Sequence, residues 1–130
     1  MKTFGKRVPK KKLFSEYVRI MNGIFGLSKR EAEMYAFMMK LDYEWRSLSE
    51  KDFKNILSTS NRRLIVRECN VNKTNLSRLI AELKRKGLLY INDYGGYEIP
   101  PSVALNPNEN IYEIAFTLEV ADESTGQNNK

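Results

Sequence analysis

From Asn72 to Lys86 the chain reads NKTNLSRLIAELKRK, and its polar residues share one helical face. With Leu76, Leu79, Ile80 and Leu83 turned inward, a period of about 3.6 residues sets Thr74, Ser77, Arg78, Ala81 and Arg85 on the opposite side. Lys73 and Asn75 project from the first turn. Hydroxyl and amide groups in these places can bond base edges or phosphate oxygens. The Arg78 guanidinium can pair bidentately with guanine, and the small Ala81 permits close approach. This is a chemistry of recognition in which no bond is broken. The rest of the sequence offers no catalytic rival. The chain has no His and one Cys, so the usual general base and the common metal-ligand sets are missing. Gly95-Gly96 leads into a strand pattern, not a helix, and no carboxylate spacing proposes an acid–base pair. Neither an enzyme nor a bound cofactor or metal is expected.

The elements that must position this face follow from the flanking residues. Leu64, Ile65 and Cys69 lie on one face of a preceding helix, which Ser58-Thr59-Ser60 can cap. A very short break follows, in which Asn70 readily takes the left-handed conformation that turns a chain after a helix. Val71 can plug the angle between the helices, and Asn72 is a good N-cap that can accept from the backbone of Thr74 or Asn75. Cys69 is expected as a small buried hydrophobe, a reactive thiol being the alternative. The core spacing of Ile65, Val66, Cys69, Asn70-Val71, Leu76 and Leu79 resembles a helix-turn-helix. In that family the second helix enters the major groove of DNA. The resemblance implies base readout by Lys73, Thr74, Asn75, Ser77 and Arg78, and phosphate contacts by Arg62, Arg63, Arg67 and Arg85.

Behind the second helix, Lys84-Arg85-Lys86 suits a helix C-terminus and Gly87 the position after it. Leu88 to Asn92, then Asp93-Tyr94-Gly95-Gly96, then Tyr97 to Ile99 reads as strand, tight turn, strand. The run Lys84 to Leu89 followed by this hairpin resembles the recognition helix and wing of multiple-antibiotic-resistance-type regulators and of small plasmid and phage replication initiators. The likeness covers roughly residues 58 to 108. It departs from the pattern at the hairpin tip, where family members that use the wing on DNA carry Arg or Lys and this chain carries Asp93 and Tyr94. The wing is therefore expected to add little to DNA affinity.

Upstream, Phe14, Tyr17, Val18, Met21 and Ile24 recur at helical spacing until Gly26. Ser28 to Glu31 reads as a capping box opening a helix that runs to about Tyr43. The apolar set of that helix, including Met34, Tyr35, Phe37, Met38, Met39 and Leu41, is too wide for one stripe. Core burial is expected, with a homodimer seam or protein-partner surface as the alternative. Asp42 to Asp52 reads as a connection, and Phe53 to Leu57 as either a helical turn or the small strand that precedes the helix-turn-helix in winged folds. Downstream, Ile111 to Val120 alternates, with Tyr112, Ile114, Phe116, Leu118 and Val120 opposite Glu113, Thr117 and Glu119. This is a half-buried strand that either extends the hairpin sheet or pairs across a dimer or foreign edge. The expected fold is mainly α with a small β-sheet (α+β), a winged helix-turn-helix with an extra C-terminal strand. Its single domain spans 13–120, with the helix-turn-helix at 60–86, the wing at 88–99 and the strand at 111–120. A basic arm (1–12) and a tail (121–130) are expected to be disordered.

The net charge of +6 is unevenly placed. Residues 1–12 hold six Lys/Arg and no acid, residues 61–90 hold eight basic against two acidic, and residues 91–130 hold one basic against seven acidic. Positive charge thus collects on the arm, with Lys10, Lys11 and Lys12, and on the helix-turn-helix, the footprint of a protein with a polyanionic partner. Charge alone is met equally by double-stranded DNA, RNA or a membrane surface. No apolar run approaches a membrane span, and the basic N-terminus lacks the apolar stretch of a signal peptide, so a cytoplasmic location is expected. The leading expectation is a sequence-specific double-stranded DNA-binding protein, a transcription regulator or replication initiator acting as a dimer. The alternative is a winged-helix protein-interaction module in a polymerase-associated or virion assembly.

Overall fold

A computed structural model of the chain describes residues 4–48 and 53–122. Four helices are followed by a two-stranded antiparallel sheet: α1 (Leu13–Phe25), α2 (Lys29–Arg46), α3 (Thr59–Glu68), α4 (Lys73–Arg85), β1 (Tyr90–Ile91) and β2 (Tyr97–Glu98). Local sequence sets the helix ends. Ser28 and Glu31 form the reciprocal capping box of α2, Ser58 accepts from the Asn61 backbone, and Asn72 accepts from the Asn75 backbone at 2.7 Å. Between α3 and α4, Asn70 takes a left-handed conformation with φ of 52°. After α4, Gly87 does so with φ of 75°, and its N–H and that of Leu88 donate back to the carbonyls of Lys84 and Leu83. That closure satisfies two carbonyls the helix leaves open and turns the chain into β1.

Helix α2 runs through the middle of the core. Met34, Tyr35, Met38 and Met39 are each at most 2% exposed, packed among Val18 and Phe25 of α1, Ile65 of α3, and Leu76, Leu79, Ile80 and Leu83 of α4. Its breadth of apolar surface is thus consumed by the protein's own core. It also extends to Arg46, a turn beyond the expected end at Tyr43. The Tyr35 hydroxyl donates to the Leu88 carbonyl at 2.7 Å, tying α2 to the exit of α4.

Burial, with smaller contributions from Tyr17 and Asp42, pushes the Tyr35 phenol far above its ordinary 10.0. A phenol whose folded pKa is raised stabilises the fold fully below pH 10.0, and that stability is lost as the pH climbs from there toward the folded value. Tyr35→Phe is therefore expected to cost about 1–2 kcal/mol at neutral pH for the lost hydrogen bond. Above pH 10.0 its stability should decline less steeply than that of the unsubstituted protein, by about 1.4 kcal/mol per pH unit, in urea titrations followed by circular dichroism.

Two expectations are corrected, over 111–120 and over Phe53 to Leu57. No strand forms over 111–120: these residues carry no secondary structure, and Ile111, Phe116, Leu118 and Val120 are 51 to 94% exposed. A strand needs a ladder partner, and no described residue supplies one. At the end of the basic arm, Lys10–Lys12 form one turn of 3-10 helix, entered at Pro9 and continuous with α1. Proline's fixed φ starts such a turn despite the low apolar content. Phe53 to Leu57 is neither helix nor strand, yet the Ile56 N–H donates to the Tyr97 carbonyl at 3.0 Å, a single rung on the outer side of β2. Of the expected connection and tail, residues 49–52 and 123–130 lie outside the described residues.

Candidate nucleic-acid interface

Helix α4 places its apolar and polar sides as its period requires. Leu76, Leu79, Ile80 and Leu83 are buried, while Lys73, Thr74, Asn75, Ser77, Arg78, Ala81 and Arg85 are exposed, with no described segment covering them. Among the described residues, Lys73, Arg78, Lys84 and Arg63 form no ion pair. Their charges are therefore available to a partner. The α3–α4 corner that aims this face is fixed from outside the pair. Arg30 donates to the Asn70 carbonyl at 3.1 Å, and Lys86 donates to the carbonyls of Phe25 and Gly26 at 2.8 Å each. These three bonds join α4 to the α1–α2 junction at both of its ends.

The other expected cations divide. Arg62 is half-buried: its Nε donates to the Leu57 carbonyl at 2.9 Å and its guanidinium lies 5.6 Å from the Tyr97 ring centre. It borders a crevice of about 250 Å³ between α4 and the hairpin, lined also by Ser77, Ile80, Ala81, Lys84 and Tyr97. A cation held on an aromatic face, with a hydroxyl and an ammonium beside it, suits one phosphate group. Arg67 and Arg85 are instead engaged with acids of their own helices, Arg67 with Glu68 at 3.2 Å and Arg85 with Glu82. The hydrogen bond from Arg85 holds the Glu82 carboxyl below the usual carboxylate range and raises the guanidinium in turn. Both groups are at the surface, so a phosphate can compete for Arg85 at little cost.

Lys10, Lys11 and Lys12 are not brought to this face. They stand at the far end of α1, about 20 Å of helix away from Phe25, where α1 meets Lys86. The structure thus assembles Lys73, Thr74, Asn75, Ser77, Arg78 and Arg62 around α4 and leaves the N-terminal lysines as a separate basic patch. Two residues join the site that sequence reasoning missed. Lys84 lies seven residues beyond Ser77 on the same flank, a spacing that could have revealed it. Tyr97 reaches the crevice only through the pairing of the hairpin, which no local pattern signals. Cys69 is half-buried, and burial raises its thiol above the usual value, the behaviour of a packing residue and not of a nucleophile.

Among the described residues no helix is long and apolar enough to cross a membrane, and no cluster of three metal-ligating side chains occurs. No protein-family model, no curated protein and no solved structure matches the chain.

Proposed function

We propose that the protein is a sequence-specific double-stranded DNA-binding protein with a winged helix-turn-helix fold, a transcription regulator or replication initiator, whose α4 lies in the major groove. The observation that carries this reading is the uncovered polar face of α4, where Thr74, Ser77 and Arg78 stand exposed among unpaired cations. The rung between Ile56 and Tyr97 supports the winged fold, because it puts the segment before α3 beside the hairpin as a third short strand would lie. Arg62 and Lys84 flank the crevice where one strand's phosphates would pass between helix and wing.

Selection of binding sites from random duplex, with the size of the complex measured, tests the reading directly: an enriched site is expected, and its symmetry reports whether a dimer binds. Arg78→Ala is expected to cost about 1–3 kcal/mol on the selected site and to relax preference at one base pair, whereas Lys84→Ala, at the phosphate crevice, weakens all sequences alike. Tyr94→Ala should change affinity little, since that ring stacks on Phe53 at 4.5 Å beside an acidic hairpin tip. Equal losses on specific and random duplex from Arg78→Ala would remove the assignment.

The second reading, a protein-interaction module, is favoured by that same hairpin tip. Phe53 and Tyr94 are 70 and 72% exposed next to Asp93, a surface suited to protein and repelled by phosphate. Duplex affinity that hardly falls between low and moderate salt would select this reading over the first.

A further inference from the structure

The two edges of the hairpin are used unequally. On the β2 side, the Tyr97 carbonyl accepts from Ile56 N–H and the Tyr97 N–H donates to Asn55 Oδ1 at 3.1 Å, so both backbone groups of Tyr97 point outward and are satisfied. Tyr97 pairs with Ile91. In an antiparallel ladder the residue opposite an outward-pointing one also points outward, off the other edge. The N–H and C=O of Ile91 are therefore directed away from the hairpin, and no described residue meets them. Tyr90 and Ile91 of that edge are 38 and 46% exposed and, with Trp45, Phe53 and Tyr94, make the apolar part of an open crevice of about 710 Å³ that Lys54, Asn92, Asp93 and Glu98 also line.

The same chain carries the complement to this edge. Residues 111–120 alternate apolar and polar side chains, yet they run unpaired with Leu118 93% and Val120 94% exposed. The segment is tethered beside α2, where Tyr43 donates to the Pro107 carbonyl and Tyr112 to that of Asn106. Trp45, two residues beyond Tyr43, already borders the crevice of β1, so the chain's own edge lies close to the tether and is still not taken. An unpaired segment with one apolar side and an open edge that exposes Tyr90 and Ile91 on one molecule satisfy each other when two copies exchange them about a twofold axis.

We propose that residues 111–120 of one copy add as a strand to the open edge of β1 on a second copy, each chain lending its segment and receiving its partner's. The inference is independent of the DNA reading. Sedimentation of the full chain should give the mass of two chains. Phe116→Asp with Leu118→Asp disables the segment, and Ile91→Pro removes the outward N–H of the edge without touching the bonds inside the hairpin. Each variant alone should sediment as one chain. Mixed together they should form a heterodimer, because the intact segment of the Ile91→Pro chain still finds the intact edge of the other. If Ile91→Pro does not fold, hydrogen exchange decides: the Ile91 amide should be protected in the unsubstituted protein and lose that protection in the segment variant. A monomeric unsubstituted chain, a dimer that survives the segment substitutions, a mixture without heterodimer, or an Ile91 amide equally exposed in both proteins would each overturn the proposal.

Discussion

Asp42→Asn is expected to lower the unfolding free energy by about 3–5 kcal/mol, although the substitution leaves the shape of the side chain unchanged. Asp42 is 1% exposed and lies between two cations. Its Oδ1 faces the Lys54 ammonium, itself in a residue 5% exposed, and its Oδ2 accepts from Arg46 Nε at 2.8 Å. Lys54 has a further acid at 3.6 Å in Glu98, and its ammonium lies 4.7 Å from the centre of the Trp45 ring. Removing the charge of Asp42 leaves that buried ammonium facing only the more distant carboxylate, while its desolvation is undiminished. Lys54→Met strands the opposite charge, but Arg46 remains against Asp42, so a smaller loss is expected. The double variant Asp42→Asn, Lys54→Met should be more stable than Asp42→Asn alone, since neither member of the pair is then left buried with its charge. Urea unfolding of the four proteins measures all of these values. A loss below about 1 kcal/mol for Asp42→Asn would mean that the pair behaves as if solvated.

The cluster has a consequence beyond stability, because its members come from three places: the last turn of α2, the segment before α3, and β2. It fixes the hairpin and the start of α3 against the same helix, and so sets the width of the crevice between Arg62, Lys84 and Tyr97. If α4 reads DNA as proposed, Asp42 and Lys54 position Arg62 without touching the duplex.

None of this cluster was legible in the sequence, where Asp42 read as the start of a connection and Lys54 as part of the short helical turn or strand over Phe53 to Leu57. Their partnership exists only once α2 and the hairpin are packed, and ionisable side chains announce their charge but not their counterion. The same limit applies to Arg62, Arg67 and Arg85, whose intramolecular partners are invisible to composition. What was legible is what local chemistry decides. Ser28, Asn70, Asn72 and Gly87 end and begin helices through bonds spanning a few residues, and the four buried side chains of α4 follow from period alone. Residues 111–120 mark the boundary between the two cases. Alternation told which of their sides is apolar, but a strand is a relation between two segments, and the chain does not pair this one with itself.

Gly96→Ala should be nearly as damaging as Asp42→Asn, for reasons of room and not of backbone conformation. A Cβ at Gly96 would stand 2.0 Å from the Lys54 carbonyl oxygen and 3.0 Å from both the Lys54 carbonyl carbon and Asn55 Cβ. No carbon sits that close to a carbonyl oxygen, so the hairpin must move off residues 54–56 by an ångström or so. The seam it would open is dense with hydrogen bonds. Asn92 Oδ1 accepts from the N–H groups of Tyr94 and Gly96, and Asn92 Nδ2 donates to the Lys54 carbonyl at 2.7 Å. The bonds of Tyr97 to Asn55 and Ile56 lie alongside. Loss of the bonds that cross the seam, with overpacking added, amounts to about 3 kcal/mol or more. Gly95 is the internal control: its φ of 81° disfavours a side chain, but a Cβ there meets nothing within 4 Å, so Gly95→Ala should cost only about 1–2 kcal/mol. The two variants should also separate in binding. With the seam displaced, Tyr97 no longer backs the Arg62 guanidinium, so Gly96→Ala should weaken duplex binding at a temperature where the protein remains folded, while Gly95→Ala binds as the unsubstituted chain does. Equal thermal stability and equal affinity for the two would show that the hairpin is free of residues 54–56 and does not govern the crevice beside α4.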